Sequence, residues 1–357
     1  MTKATPGSRA TAFCARFGLR VPILLAPMAG ACPASLSVAV ANAGGMGAAG
    51  VLTLQPAAIA AWAAEFRAGS NGAFMLNTWI PDPPPLRDAA HEADVRAFLA
   101  QFGPPVAEAA GDAPLVDFNA QCAAMLAAGP AVISSIMGLY PPDFVATLKA
   151  RGIAWFATAT TVAEALAAEA AGADVVVAQG AEAGGHRGAF VAGYAERASV
   201  GLFALLPAVV DAVKIPVVGA GGIADGRGIA ASFMLGASAV QIGTGLLRTP
   251  EAKIAPAWAA ALAGTRPEDT MLTRAFSGRA GRSVATDYVR AAADGPAPAP
   301  YPVQRGLTTA MRDAAVKNAD LQRMQAWAGQ SAALARAAPA GDLLRDLWDQ
   351  AAALLGP

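Results

Sequence analysis

Eight short apolar runs, each followed by a turn rich in Gly, Pro or Asn and then by a helical pattern, constrain this chain more than any other feature. They fall at residues 21–26, 46–49, 73–77, 131–134, 153–156, 174–178, 216–219 and 239–241, with helical stretches at 33–43, 55–68, 142–151, 161–171, 201–213 and 225–235. Runs that are apolar throughout and alternate with helices behave as strands buried on both faces of a parallel sheet. An eightfold barrel and an open doubly wound sheet both meet that description. A nucleotide-binding open sheet would carry GxGxxG directly after its first strand. Here the first run ends in Ala26-Pro27-Met28-Ala29-Gly30 instead. That departure and the count of eight select an α/β fold of the (β/α)8, or TIM, barrel type.

Two segments fall outside the repeat. Residues 82–129 separate the third and fourth runs and predict helices at 86–102 and near 117–128. Residues 251–357 follow the eighth run, with a Pro-rich stretch at 294–302 and helical patterns near 308–319, 321–337 and 342–355. The expected organisation is a barrel over 14–250 carrying the insert 82–129. A helical extension over 251–357 would pack against it and close the active-site end.

Composition narrows the function classes. The 26 basic and 26 acidic residues cancel, so no electrostatic footprint for nucleic acid exists. Mean hydropathy is +0.42, and no charge occurs between Arg20 and Glu65. That window is broken by Pro22, Pro27, Pro33, Gly44, Gly45 and Pro56, which excludes a membrane-spanning helix. The polar segment Met1–Arg9 lacks the apolar core of an export signal. Three cysteines, at 14, 32 and 122, have no motif spacing and fit a reducing cytoplasm. Two histidines 95 positions apart, with no HExxH or CxxC, offer no metal site.

Barrel chemistry sits in the turns after the strands. Those after the seventh and eighth runs read Gly219-Ala220-Gly221-Gly222-Ile223-Ala224-Asp225-Gly226 and Gln241-Ile242-Gly243-Thr244-Gly245. Such turns let backbone amides converge on a phosphate. After the sixth run comes Gln179-Gly180-Ala181-Glu182-Ala183-Gly184-Gly185-His186-Arg187-Gly188. His186, among glycines that let a ligand approach the backbone, is the candidate for proton chemistry. His91, beside Glu92 and Asp94, reads as structural. An organic phosphorylated cofactor explains these loops better than a protein nucleophile does.

These motifs resemble the bacterial class I nitronate monooxygenases, formerly called 2-nitropropane dioxygenases. The likeness is carried by Ala26-Pro27-Met28, Asn42-Ala43-Gly44-Gly45-Met46-Gly47, Asn77, the string from Gln179 to Gly188, and Gly221-Gly222-Ile223-Ala224-Asp225-Gly226-Arg227-Gly228. It continues through Gln241-Ile242-Gly243-Thr244, Ser277-Gly278-Arg279 and Trp327-Ala328-Gly329-Gln330, so it spans almost the whole chain. The resemblance implies non-covalent FMN and oxidation of nitronates by O2 to carbonyl compounds and nitrite through a flavosemiquinone. Some relatives also take neutral nitroalkanes. It implies Ala26, Met28 and Asn77 along the flavin ring, Gln179 at its polar edge, and Gly184 beside it. Gly221, Gly222, Gly243 and Thr244 would hold the phosphate, and Gln330 would close over the flavin. His186 would face the substrate as base, hydrogen-bond donor or positive partner.

This chain departs from the class I pattern on the substrate side. Ile136, in the stretch Ser134-Ser135-Ile136-Met137-Gly138, stands where relatives carry a histidine, and Thr286 stands where an asparagine is common. With Trp79 and Met137, they form the expected pocket wall. The change predicts a more apolar pocket, suited to alkyl nitronates rather than small anions such as propionate 3-nitronate. The rival reading is an FMN-dependent NAD(P)H:quinone or enoyl reductase on the same scaffold, and a non-enzymatic FMN barrel is the other. Helices 89–99 and 308–337 are candidate surfaces for a homodimer.

Overall fold

The computed structural model describes residues 5–112 and 114–356. Residues 1–4 of the polar N-terminal segment, and positions 113 and 357, lie outside the described residues. In chain order the strands are β1 (Ile23–Leu25), β2 (Gly47–Gly50), β3 (Phe74–Trp79), β4 (Val132–Ile136), β5 (Ala154–Ala159) and β6 (Val175–Gln179). They continue with β7 (Gly185–His186), β8 (Val217–Ala220), β9 (Ala239–Ile242), β10 (Thr270–Thr273) and β11 (Gly281–Val284). Eight of them form one parallel sheet in the order β1-β9-β8-β6-β5-β4-β3-β2. A parallel bridge between Leu24 and Met46 joins its two ends, with the Leu25 amide donating to the Met46 carbonyl at 2.9 Å. The sheet is therefore a barrel, built from the eight runs expected.

The strands hold because both their faces are buried. Leu24, Ile133, Val176 and Val218 have no exposed surface, and burial of each such side chain stabilises the fold by about 1.5–3 kcal/mol. Trp155 is fully buried, and its indole N–H is satisfied by Ser135 Oγ at 3.0 Å. The helix Val162–Ala170 starts at a reciprocal cap. Thr161 Oγ1 accepts from the Glu164 amide, while the Glu164 carboxylate accepts from the Thr160 amide at 2.7 Å. A helix at Pro6–Phe17, not expected from the sequence, packs Phe13 and Phe17 against Phe156.

The insert divides between two cores. Its second helix, Phe118–Ala128, packs on the helix Pro56–Gly69 as part of the outer ring. Its first helix runs over Ala89–Leu99 rather than 86–102, because Pro83, Pro84 and Pro85 delay the start until Asp88 caps the amides of Ala90 and His91. Val95 and Leu99 of that helix join Phe276, Tyr288, Leu307 and Met311 in a separate hydrophobic core shared with the C-terminal third.

That third is not a run of simple helices. The helix expected at 321–337 is absent: two short 3-10 turns flank an extended segment in which Trp327 bridges antiparallel to Ser283. The backbone there is spent on β11, since the Val284 amide donates to the Ala326 carbonyl and the Ala328 amide to the Arg282 carbonyl. Where one helix was expected at 308–319, a short helix Val303–Leu307 precedes Thr309–Lys317. The last helix, Ala340–Leu355, lies between the helices Ala34–Asn42 and Gly226–Met234. Those follow β1 and β8, so the last helix occupies the outer-ring position belonging to β9. Among the described residues no helix is long and apolar enough to cross a membrane.

Candidate active site

A cavity of about 420 Å³ opens where the strands end, within the range of small-molecule sites. On one side lie the turns after β1, β8 and β9, which are neighbours in the barrel. Opposite them stand Asn77 and Trp79 of β3 and Ile136 of β4. The turn after β1 is held by Cys32, whose Sγ accepts from the Met28 amide and donates to the Ala26 carbonyl. Burial pushes that thiol up to about 12, so it is inert.

Gly221, Gly222, Gly243 and Thr244 all line the cavity. None of their four amides donates a hydrogen bond to a partner among the described residues. Gly221 and Gly222 have φ of +106° and +70°, a conformation that side chains with a Cβ rarely adopt. Four free amides from two adjacent turns make a cradle for an oxyanion such as a phosphate. Gly184 is tight for a different reason. A Cβ there would lie 2.7 Å from the Ala328 carbonyl carbon and 2.8 Å from Thr244 Oγ1.

His186 sits on β7, and β7 exists only because β11 pairs with it, Gly281 against His186 and Arg282 against Gly185. Gln179 pins the same segment. Its Nε2 donates to the His186 carbonyl at 3.0 Å, and its Oε1 accepts from the Gly188 amide at 2.8 Å. The imidazole packs edge-on between Trp79 and Trp327, with centroids at 4.6 and 4.8 Å, and its Nε2 lies 2.7 Å from Ser277 Oγ. Burial, and then the positive charges of Arg279, Arg305 and Arg312, bring its pKa down to about 3. A pKa that low leaves the imidazole neutral near pH 7.

The nitronate monooxygenase family model matches residues 12–350. The chain belongs to the nitronate monooxygenase family. It is 39% identical over 340 residues to the nitronate monooxygenase of Pseudomonas aeruginosa, covering 93% of this chain and 97% of that one. Identity to the Paraburkholderia phytofirmans nitronate monooxygenase is 38% over 339 residues, 92% of each chain. Among solved structures, the nitroalkane oxidase from Streptomyces ansochromogenes is similar at a TM-score of 0.86 and 37% identity, covering 96% of this chain and 98% of that one. FabK from Thermotoga maritima is similar at 0.74 and 26%, covering 95% of each. Like its family, the chain is an oxidoreductase.

In this family member, Ala26, Met28, Asn77, Trp79, Ile136, Gln179, Gly184, His186, Gly221, Gly222, Gly243 and Thr244 converge on the cavity. Three candidates do not line it. Thr286 is buried, and its hydroxyl caps the helix Asp287–Asp294 by accepting from the Val289 amide. Met137 has φ of +69° and is buried beside, not in, the cavity wall. Gln330 is tied by its amide to the Glu182 carbonyl at 2.9 Å, and its neighbours Gly329 and Ser331 line the cavity instead.

Sequence reasoning missed Gln241, Trp258, Arg305, Arg312 and Gln325, all on the cavity wall. Gln241 is the penultimate residue of β9, beside an assigned glycine turn, and could have been found. The others come from the C-terminal third, where no strand periodicity marks which side chains turn inward. Their arrival changes the electrostatics, because the lining holds two arginines and no Asp or Glu. That stretch of the cavity wall is cationic, not simply more apolar.

Proposed function

We propose that the chain oxidises nitronates with O2 to carbonyl compounds and nitrite, using FMN held in the cavity described above. The observation that carries this reading is the pairing of a free-amide cradle with a neutral histidine in one acid-free cavity, in a chain of this family. Gly221, Gly222, Gly243 and Thr244 would hold the phosphate through their amides. Ala26, Met28, Asn77 and Gly184 would flank the ring, and Gln179 would keep its main task of fixing the His186 segment. FMN, when bound, supplies the electron transfer that the reaction with O2 requires.

The chain's own residues would orient and exclude. Trp79 and Trp327 hold the imidazole between them. Ser277 fixes the ring through Nε2, while Nδ1 has no hydrogen-bond partner among the described residues. A base with a pKa of about 3 abstracts a carbon-bound proton poorly. His186 therefore serves as a neutral hydrogen-bonding partner to a nitronate already formed, and neutral nitroalkanes should be poor substrates. The reaction needs only a small-molecule nitronate and O2 as partners. The three free thiols suit a cytoplasmic setting.

The test is an anaerobic absorbance titration of the flavin-loaded protein with ethylnitronate, and with NADH in a separate cuvette. The reading expects the visible flavin spectrum to change on adding nitronate, nitrite to form when air is admitted, and little response to NADH. Fast bleaching by NADH with indifference to nitronate would overturn it in favour of a reductase. Failure to take up FMN would remove both readings.

A further inference from the structure

The string from Gln179 to Gly188 carries a cation that the cavity does not use. His186 lines the cavity, whereas Arg187, the next residue, does not and is only 1% exposed. Its amide extends the pairing with β11 by donating to the Ala280 carbonyl at 2.9 Å. The side chain therefore leaves the opposite face from the imidazole, as alternate residues of a strand do. The equally buried Arg279 pairs with Asp82, but Arg187 has no ion-pair partner among the described residues. The two acids that act on it electrostatically, Glu164 and Glu182, are committed to backbone amides: Glu164 to those of Thr160 and Phe190, Glu182 to that of Leu202. Burial pulls its pKa down to about 10, so it keeps its charge near pH 7.

The bonds of Arg187 run back to the start of the string instead. Its Nη1 donates to the Gly180 carbonyl at 2.6 Å, the Gln179 carbonyl at 3.1 Å and Gln179 Oε1 at 3.3 Å. Gln179 in turn reaches forward, to the His186 carbonyl and the Gly188 amide. Each side chain binds the backbone beside the other, and together they close the intervening loop as a clasp. The clasp also decides which way the Gln179 amide faces. Turned over, its NH2 would oppose the Gly188 N–H and the guanidinium, and its oxygen would oppose the His186 carbonyl. Only the observed orientation pairs every donor with an acceptor. It leaves the second Nε2 hydrogen without a partner among the described residues, on a side chain that lines the cavity.

We propose that Arg187 is a positioning residue for His186: with Gln179 it clasps the loop between β6 and β7 and so sets where the imidazole stands. A buried cation without an anion is costly to keep. Three oxygens at the end of β6 offset that cost, and methionine, similar in length, cannot bind them. Ser277, Trp79 and Trp327 touch the ring itself, whereas Arg187 acts on the backbone that carries it. The clasp is a property of the chain alone; its effect on rate rests on the nitronate reading.

The chain has just two histidines, which makes the readout direct. In flavin-loaded protein labelled at histidine, Arg187→Met should shift the imidazole NMR signals of His186 and leave those of His91, on the helix Ala89–Leu99, in place. With ethylnitronate, kcat/KM should fall about 10–100-fold, the scale on which misplacing a reacting group lowers a rate. Arg187→Lys, which keeps the charge and can donate to the two carbonyls, should recover part of both effects. Because the two side chains act as one clasp, Arg187→Met combined with Gln179→Leu should lose less than the product of the single losses. Unmoved His186 signals in Arg187→Met would overturn the proposal, and so would single losses that multiply in the double variant. Should Arg187→Met not fold, Gln179→Leu opens the same clasp from its other side, and unmoved His186 signals there would overturn it equally. If no nitronate is turned over, the functional reading falls and the His186 signals decide the clasp alone.

Discussion

Replacing Gly184 by alanine tests whether the C-terminal third is wedged against the barrel as tightly as the geometry implies. The new Cβ would sit 2.7 Å from the Ala328 carbonyl carbon, 2.8 Å from Thr244 Oγ1, and closer still to the Gly329 amide nitrogen. Two of those are backbone atoms, and the Gly329 amide already donates to Thr244 Oγ1 at 3.0 Å. No rotamer change relieves the clash, so backbone must separate, and overpacking of this sort costs about 1–3 kcal/mol. At roughly 2.1 cal/mol/K per residue, unfolding of a chain this long carries an entropy near 0.75 kcal/mol/K, so Tm should fall by about 1–4 °C. Where the strain falls on the loaded state, the Kd for FMN should rise about 5–150-fold. Differential scanning fluorimetry and a flavin fluorescence titration read both effects. Gly193→Ala is the control, because a Cβ there meets nothing within 4 Å. A Gly184→Ala protein with the wild-type Tm and flavin affinity would refute the reasoning.

The pKa of His186, about 3 against an ordinary 6.5, makes the unfolded chain bind more protons than the folded one between those values. Its contribution is therefore complete above pH 6.5 and is lost as the pH falls toward 3, at a slope of up to about 1.4 kcal/mol per pH unit. Urea unfolding of wild type and His186→Asn from pH 7 to pH 4 should diverge by that slope, and parallel curves would count against an imidazole held neutral in the folded state. Asp82→Asn should strand the Arg279 guanidinium, which is 1% exposed and pairs with Asp82 at 2.8 Å. Loss of a buried charge's partner costs about 3 kcal/mol, readable as a lower urea midpoint. Adding Arg279→Met to that variant should recover part of the loss.

How far the sequence reached depended on whether a feature is local. The eight apolar runs announced the barrel because a strand buried on both faces is apolar along most of its length, and that pattern is confined to three to six residues. The turns Gly219–Gly226 and Gln241–Gly245 were legible for a similar reason, since glycine marks the close approach of backbone. The segment 321–337 misled because Met324, Gln325, Ala326 and Ala328 favour a helix taken alone. Pairing with Ser283 of β11, some forty residues earlier, overrode that propensity. Thr286 misled likewise, as a family position whose hydroxyl turned out to cap a helix.

The sequence by itself determined the barrel, the glycine turns and the one histidine set among them. Only the tertiary structure decided what surrounds that histidine. β11 brings the His186 segment into a strand, and the C-terminal third returns to deliver Trp327, Arg305 and Arg312 to the same cavity. The physical reason is that a strand's burial is written in its own residues. The charge of a cavity is the sum over side chains more than a hundred residues apart, and no periodicity records where they meet.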